Sequence, residues 1–306
     1  MNASTLASGG LAAPPAALPA EAAVLAQAGS ENFPVASRVL PRRVRGHLLA
    51  LYGWARLVDD AGDEAPGDRL ALLDWLDAEL ERVYAGTPTL PLTTRLEATV
   101  RACALAPGPL RALIEANRQD QRVTRYATEE DLLAYCARSA NPVGRLVLAV
   151  FGAATPERER LSDALCTGLQ LTEHWQDVRE DLGRGRVYLP LADLERFGVA
   201  VDDLRERPAP PRVRALLAFE VGRARAFLRA GAPLHRSLHG RPALAVAGFV
   251  AGGRAALDAI EGAGYDVSGG APRPSRARLL RNLVATLGRG RSVSYTHLTL
   301  PTNREV

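Results

Sequence analysis

The stretch Tyr52 to Glu64, YGWARLVDDAGDE, limits what this chain can become more than any other. It sets Arg56, Asp59, Asp60, Asp63 and Glu64 between apolar positions at helical spacing. Asp59 and Asp63 stand one turn apart, as do Arg56 and Asp60, so the charges gather on or near one helix face. Carboxylates so placed repel unless a cation or solvent offsets them. A single acidic helix is ordinarily a solvated face. Here the pattern returns in QLTEHWQDVREDLGRGR, Gln170 to Arg186, with Glu173, Asp177, Glu180 and Asp181. Two such helices facing each other would form an oxygen-rich site suited to hard Mg2+ ions that hold a diphosphate.

The surrounding sequence is helical in period. Residues 66–84 carry Leu70, Leu73, Leu76, Leu80 and Val83 on one face, and Gly86 to Pro91 supplies a turn. Further helices are predicted from a start near Ser30 and Glu31, over 92–106 and 109–117 with Pro107 and Gly108 between, and from Glu129. Thr128 caps that last one, with Asp131 a weak capping-box partner. Asn141 and Pro142 interrupt the pattern. One long helix is predicted over 156–182, ended by Gly183 and Gly185, then helices over 212–229 and 241–260 and a basic amphipathic one from Ser275 to Leu287. Strand-like alternation is scarce, so the expected fold is all-α: one helical bundle without internal repeats.

The 306 residues, 47% of them hydrophobic, can bury a large core. The formal charge is +4, and arginine supplies all of the basic side chains. That charge alone suits nucleic acid, an anionic membrane or an anionic small substrate, but paired acidic helices oppose a phosphate backbone and no nucleic-acid motif appears. Cys103, Cys136 and Cys166 lie far apart inside apolar helical patterns, which reads as packed thiols in a reducing, cytoplasmic compartment. The apolar run Leu244 to Gly253 is too short to span a bilayer. The basic C-terminal helix is a candidate for peripheral contact at the inner membrane. Residues 1–29 read as a weakly ordered leader with a short helix, 30–292 as the folded domain, and 293–306 as a non-native or disordered tail.

Several ordered motifs carry a resemblance. YxxxRxxDDxxDE at Tyr52 to Glu64 and CTGLQLTEHWQDVREDLGRGRVYLP at Cys166 to Pro190 resemble the squalene/phytoene synthase family of head-to-head prenyl transferases. Within that family, ENFPVAS at Glu31 to Ser37, RQDQ at Arg118 to Gln121 and YCARSANPVGRLVL at Tyr135 to Leu148 resemble the bacterial hopanoid-pathway branch, which acts as hydroxysqualene synthase. The match covers roughly residues 30 to 290.

The resemblance implies a single isoprenoid-synthase domain around a central prenyl cavity. It makes Asp59, Asp63, Asp177 and Asp181 the Mg2+ ligands, and Asp60, Glu64 and Glu180 groups that tune charge or bind metal through water. Glu173 stands where family members carry an Asn near the metal cluster. Tyr52 and Arg56 join the four aspartates as catalytic candidates; Arg184, Arg186 and Tyr188 would hold diphosphate, and Gln170, Val143 and Gly144 would wall the cavity. Asn141 and Gln176, with Asn32, Gln119 and Asp120, are polar candidates near the substrate, and Gln176 replaces an Arg common in carotenoid-forming relatives. The implied reaction converts presqualene diphosphate and water to hydroxysqualene and diphosphate, without NADPH. Two alternatives stand beside it: condensation of farnesyl or geranylgeranyl diphosphate to squalene, dehydrosqualene or phytoene, and an inactive helical membrane-associated binding protein. Trp54, Trp175 and Cys136 read as packing residues, His174 as a structural or polar-cavity residue and His47 as a surface or core-edge one, neither as a zinc ligand.

Overall fold

Capping residues and prolines decide where the helices begin. In this computed structural model, the described residues are 39–288 together with Pro15, Leu18, Pro19 and Glu21–Gln27. The expected helix start at Ser30 and Glu31, Asn32, the ENFPVAS segment and the tail from 293 lie outside them. Helix α1 (Glu21–Gln27) precedes α2 (Arg42–Asp63), which carries the first acidic motif. Asp68 caps α3 (Arg69–Ala85) by accepting from the Ala71 amide at 3.0 Å, and left-handed Gly86 ends it. Helices α4 (Pro91–Cys103) and α5 (Pro107–Asp120) both open on a proline, whose missing N–H costs nothing in a first turn. Pro107 and Gly108, expected to separate two helices, are therefore the first turn of the second.

Thr128 and Asp131 form both arms of a capping box, at 3.1 and 3.2 Å, and open α6 (Glu129–Ser139). Helix α7 (Asn141–Val150) follows with Pro142 in its first turn, and α8 (Pro156–Gln176) starts from a Thr155 cap. The predicted single helix over 156–182 is two helices. Asp177 leaves helical geometry (φ −101°, ψ 12°) while its amide still donates to the Glu173 carbonyl at 2.9 Å, and α9 (Val178–Gly183) begins beyond it. Then come α10 (Leu191–Arg196), a 3-10 turn at Val201–Arg205, α11 (Pro211–Gly231), α12 (Leu234–Ser237), α13 (Gly240–Gly262) and α14 (Arg276–Gly288). Pieces as short as α10 and α12 hold too few residues to show a period. Among the described residues the extended pairing is one isolated parallel bridge, Arg125 to Val187, so the fold is all-α as expected.

The bundle has two apolar cores. One gathers Trp54, Leu57, Leu73, Leu76, Leu96 and Ile114 from α2 to α5. The other gathers Leu165, Trp175, Leu216, Leu217, Val221 and Leu257 from α8, α11 and α13. Each tryptophan also donates its indole N–H to a distant carbonyl, Trp54 to Leu110 and Trp175 to Glu220, both at 3.2 Å. Both are packing residues. Helix α13 is long and apolar enough to cross a membrane by length and composition, yet 56% of its apolar window is buried in the bundle, as suits a core helix.

Beneath the second core Glu220 is almost wholly buried. Its carboxylate pairs with Arg223 at 3.0 Å, and Arg223 also binds Asp193 and Glu129. Burial pushes the Glu220 carboxyl up to about 8, against the pull of Arg223. The native chain therefore holds a proton that the unfolded chain releases near the ordinary glutamate value, so stability falls as pH rises from about 4.5 to about 8. Glu220→Gln is expected to flatten that slope, shrinking the stability difference between pH 5 and pH 8 by about 1–3 kcal/mol. Urea unfolding at both pH values checks this; parallel losses in variant and parent would refute it.

Candidate active site

At the seam between the two cores the helices leave an apolar cavity of about 390 Å3. Helix α2 lines it with Leu48, Leu51, Tyr52, Ala55, Arg56 and Asp59, residues three or four apart on one face. Val143 and Gly144 on α7 and Gln170 on α8 wall it. A Cβ at Gly144 would fall on the Ser162 hydroxyl and the Cys166 thiol, so any larger residue would have to turn both side chains aside.

A second, polar chamber of about 260 Å3 adjoins the first. Asp59 and Asp63 line it from α2, Asn117 and Asp120 from α5, and Tyr135 from α6. Glu173, His174, Asp177 and Asp181 line it from the opposite side, followed by Arg184, Arg186 and Tyr188 of the exit loop. The helix break at Asp177 and the loop's anchoring explain this convergence. The Val187 amide donates to Thr124 and the Arg186 amide to Asp181, both at 2.8 Å, which fixes the loop against the α5–α6 connection. Asp59, Leu113, Ser139, Gln170 and Glu173 line both spaces and form the junction between them.

The chamber is crowded with carboxyls. Asp59 accepts from Asn117 at 3.0 Å, yet burial and neighbouring Asp63 push its carboxyl up to about 6. More than a third of its surface is open, but that surface borders the two cavities. Burial and Asp177 carry Asp181 to about 7, and burial carries Asp120 to about 7 although the Tyr135 hydroxyl donates to it at 2.7 Å. Asp177 is raised too, by burial and Glu180. One cation crosses the gap: Arg186 donates to Asp63 at 2.7 Å. Burial works against the Arg186 charge, and its bond to Asp63 more than restores it. His174, stripped of water and held down to about 3, is neutral and stacks on Tyr188 with ring centroids 3.8 Å apart.

Several predicted residues sit elsewhere. Asp60 and Glu64 turn to Arg56, at 2.7 and 3.0 Å, and stay out of the chamber lining. Arg56 borders the apolar cavity with its charge already engaged. Glu180 is exposed and paired with Arg184 at 3.0 Å. Neither Asn141 nor Gln176 is among the residues that line the two cavities. Asn141 accepts from Thr167 at 3.0 Å inside the α7–α8 contact, and Gln176 donates to the Pro272 carbonyl at 3.0 Å. Gln119 is taken by Tyr126 and Arg138, outside the chamber lining. Sequence reasoning passed over Asn117, Tyr135 and Ser139. Asn117 and Asp120 lie one turn apart on α5, as do Tyr135 and Ser139 on α6, so the spacing test applied to α2 would have found both pairs.

Among the described residues no three acidic, histidine or cysteine side chains converge closely enough to enclose an ion by themselves. The donor set nonetheless fits Mg2+. It is built of hard carboxylate oxygens, burial and neighbouring carboxylates hold its carboxyls above their ordinary range, and Mg2+ commonly takes one or two carboxylates and completes its shell with water and phosphate.

Comparison with known proteins agrees with this geometry. The squalene/phytoene synthase model matches residues 26–282, and the chain belongs to that family of enzymes, whose chemistry is head-to-head isoprenoid condensation and which generally uses Mg2+. The crystal structure of squalene synthase HpnC from Alicyclobacillus acidocaldarius is 47% identical, with a TM-score of 0.75 over 79% of this chain and 92% of that one. The hydroxysqualene synthase of Rhodopseudomonas palustris is 36% identical over 208 residues, 67% of this chain and 70% of its own. The phytoene synthase of Thermus thermophilus is 36% identical over 241 residues, 78% of this chain and 82% of its own.

Metal ligation requires deprotonated carboxylates, so binding must expel protons from groups that titrate near 6 and 7. Calorimetry at pH 6.5 in two buffers of different ionisation enthalpy, adding Mg2+ with inorganic diphosphate, is expected to show release of about one proton per chain. Buffer-independent heats would contradict the assignment.

Proposed function

We propose that this chain is a Mg2+-dependent enzyme joining two allylic prenyl diphosphates head to head, to squalene, dehydrosqualene or phytoene. The observation that carries this reading is the junction of an acidic chamber with an apolar cavity. Asp59, Asp63, Asp177 and Asp181 would hold Mg2+, which neutralises diphosphate charge as the allylic carbon–oxygen bond ionises. Arg186 and Arg184 offer charged donors to the leaving diphosphate. Tyr135 and Tyr188 line the chamber, and neutral His174 stacks on Tyr188 without adding charge of its own. Leu51, Leu165 and Phe249 offer the prenyl tails a wall that withholds water. Relatives named phytoene synthase and squalene synthase support this reading.

A second reading, conversion of presqualene diphosphate and water to hydroxysqualene, is favoured by the polar side chains at the junction, Ser139, Gln170 and Glu173, and by the relative named hydroxysqualene synthase. It consumes no hydride and so needs no NADPH. The exposed stripe Leu280, Val284 and Leu287 on α14, beside Arg276, supports peripheral contact with an anionic bilayer into which an apolar product partitions.

Product analysis with Mg2+ tests both readings, with farnesyl, geranylgeranyl and presqualene diphosphate supplied separately and NADPH added only where squalene is sought, because squalene alone among these products takes up a hydride. A C30 or C40 product from the shorter donors meets the first expectation, and hydroxysqualene from presqualene diphosphate meets the second. Asp59→Asn and Asp177→Asn are each expected to cut turnover by about 100-fold or more with helicity retained, because even outer-shell partners of metal sites contribute about 10–100-fold. Intact helicity with no turnover of any donor by the parent protein would sink the enzyme reading and leave a binding protein.

A further inference from the structure

The Ser139 hydroxyl is a buried polar group whose bonding the fold leaves open. It sits in the last turn of α6 and lines both the apolar cavity and the acidic chamber. A hydroxyl near a helix end ordinarily satisfies itself on the carbonyl three or four residues back. Thr172 does so on Gly168 at 2.6 Å, Ser237 on Leu234 at 2.8 Å and Thr286 on Asn282 at 2.8 Å. Ser139 does not. Its Oγ is buried and has no hydrogen-bond partner among the described residues. A buried hydroxyl without a protein partner, on a residue that lines a cavity, is a group that a water molecule can satisfy once the side chain turns to that cavity, provided the site offers the water further polar neighbours. Gln170 and Glu173 are the polar side chains that share the junction with Ser139 and Asp59.

We propose that Ser139 positions the water that captures the prenyl cation, making it the residue that directs the reaction to an alcohol. This rests on the hydroxysqualene reading given above. The location suits that role, because a cation formed where diphosphate departs from the chamber meets the junction before it meets the leucine-lined wall. Loss of diphosphate breaks its carbon–oxygen bond and leaves a cyclopropylcarbinyl cation, which rearranges. The water oxygen then gives a lone pair to a ring carbon of the rearranged cation. The new carbon–oxygen bond forms there as the ring carbon–carbon bond breaks and its electron pair becomes the carbon–carbon double bond at the cationic centre. The oxonium then passes its proton to the released diphosphate. No oxidant or reductant is consumed. Ser139 accepts or donates one hydrogen bond to that water and is not itself altered.

The test uses the full chain with Mg2+ and presqualene diphosphate in 18O-labelled water without NADPH, following labelled alcohol, hydrocarbon and diphosphate release. The parent is expected to release diphosphate and alcohol together. Ser139→Ala is expected to release diphosphate within about threefold of the parent rate while its alcohol share falls about tenfold, the scale of one lost hydrogen bond. Ser139→Thr, which restores a hydroxyl, should recover the alcohol share. An unchanged alcohol share in Ser139→Ala overturns the role of Ser139 and leaves the hydroxysqualene reading standing. Parent protein that releases diphosphate but forms no alcohol overturns that reading and the proposal with it. Equal loss of diphosphate release and alcohol in both variants also overturns it, since a water-positioning group must change partition rather than ionisation.

Discussion

Like charge held away from bulk water is the constraint on which this structure depends. Asp59, Asp63, Asp120, Asp177 and Asp181 converge on one chamber, and the fold tolerates them by giving each a different form of relief. Asp63 takes the guanidinium of Arg186 from 123 residues away, Asp59 takes the Asn117 amide, and Asp120 takes the Tyr135 hydroxyl. Asp181 and Asp177 have less, and burial leaves both above the ordinary carboxylate range. Removing one partner from a buried ion pair costs more than the pair contributes, because it strands the other charge. The Arg186–Asp63 contact thus ties the two acidic segments together and keeps the chamber from opening.

The same electrostatics explain why neighbouring charges are excluded. Arg56 draws Asp60 and Glu64 to itself along α2 and away from the chamber lining, so two of the five charges in the first motif restrain the other helix face instead of adding repulsion. Close helix approach does the rest. Gly62, between Asp60 and Asp63, has no side chain where a Cβ would collide with the Asn117 amide oxygen, and that closeness lets Asn117 reach Asp59. Gly144 does the same for α7 against α8 at the cavity wall. Charge placement and backbone spacing are set by the same few positions.

Much of this was legible because it is local. The acidic spacings, the Thr128 cap and the helical periods need a window of only a few residues, and all appear where expected. The break at Asp177 was not legible, since residues on both sides keep the helical period and one residue out of geometry leaves no mark on composition. The bonds of Gln176 and Asn141 were not legible for the opposite reason. Their motif positions are suggestive, but their partners, Pro272 and Thr167, are 96 and 26 residues away and exist only once the bundle closes. Ser139 has no motif of its own; its interest lies in a bond it fails to make.

The division into two spaces also separates two demands that conflict in one pocket. Ionising a diphosphate ester requires charge, hydrogen-bond donors and hard oxygen, whereas keeping the resulting carbocation alive requires walls that offer it no nucleophile. Here the first set lies in the acidic chamber and the second along α2, α7, α8 and α13. On the proposed reading, the fate of a cation would be decided where the spaces meet, by whether Ser139, Gln170 and Glu173 admit a water or exclude it. An apolar side chain in the place of Ser139 would extend the dry wall to the chamber's edge and favour carbon–carbon rearrangement and proton loss over capture. The bulk of the fold can therefore serve hydrocarbon-forming and alcohol-forming chemistry alike, with the choice between them resting on a few atoms at one helix end.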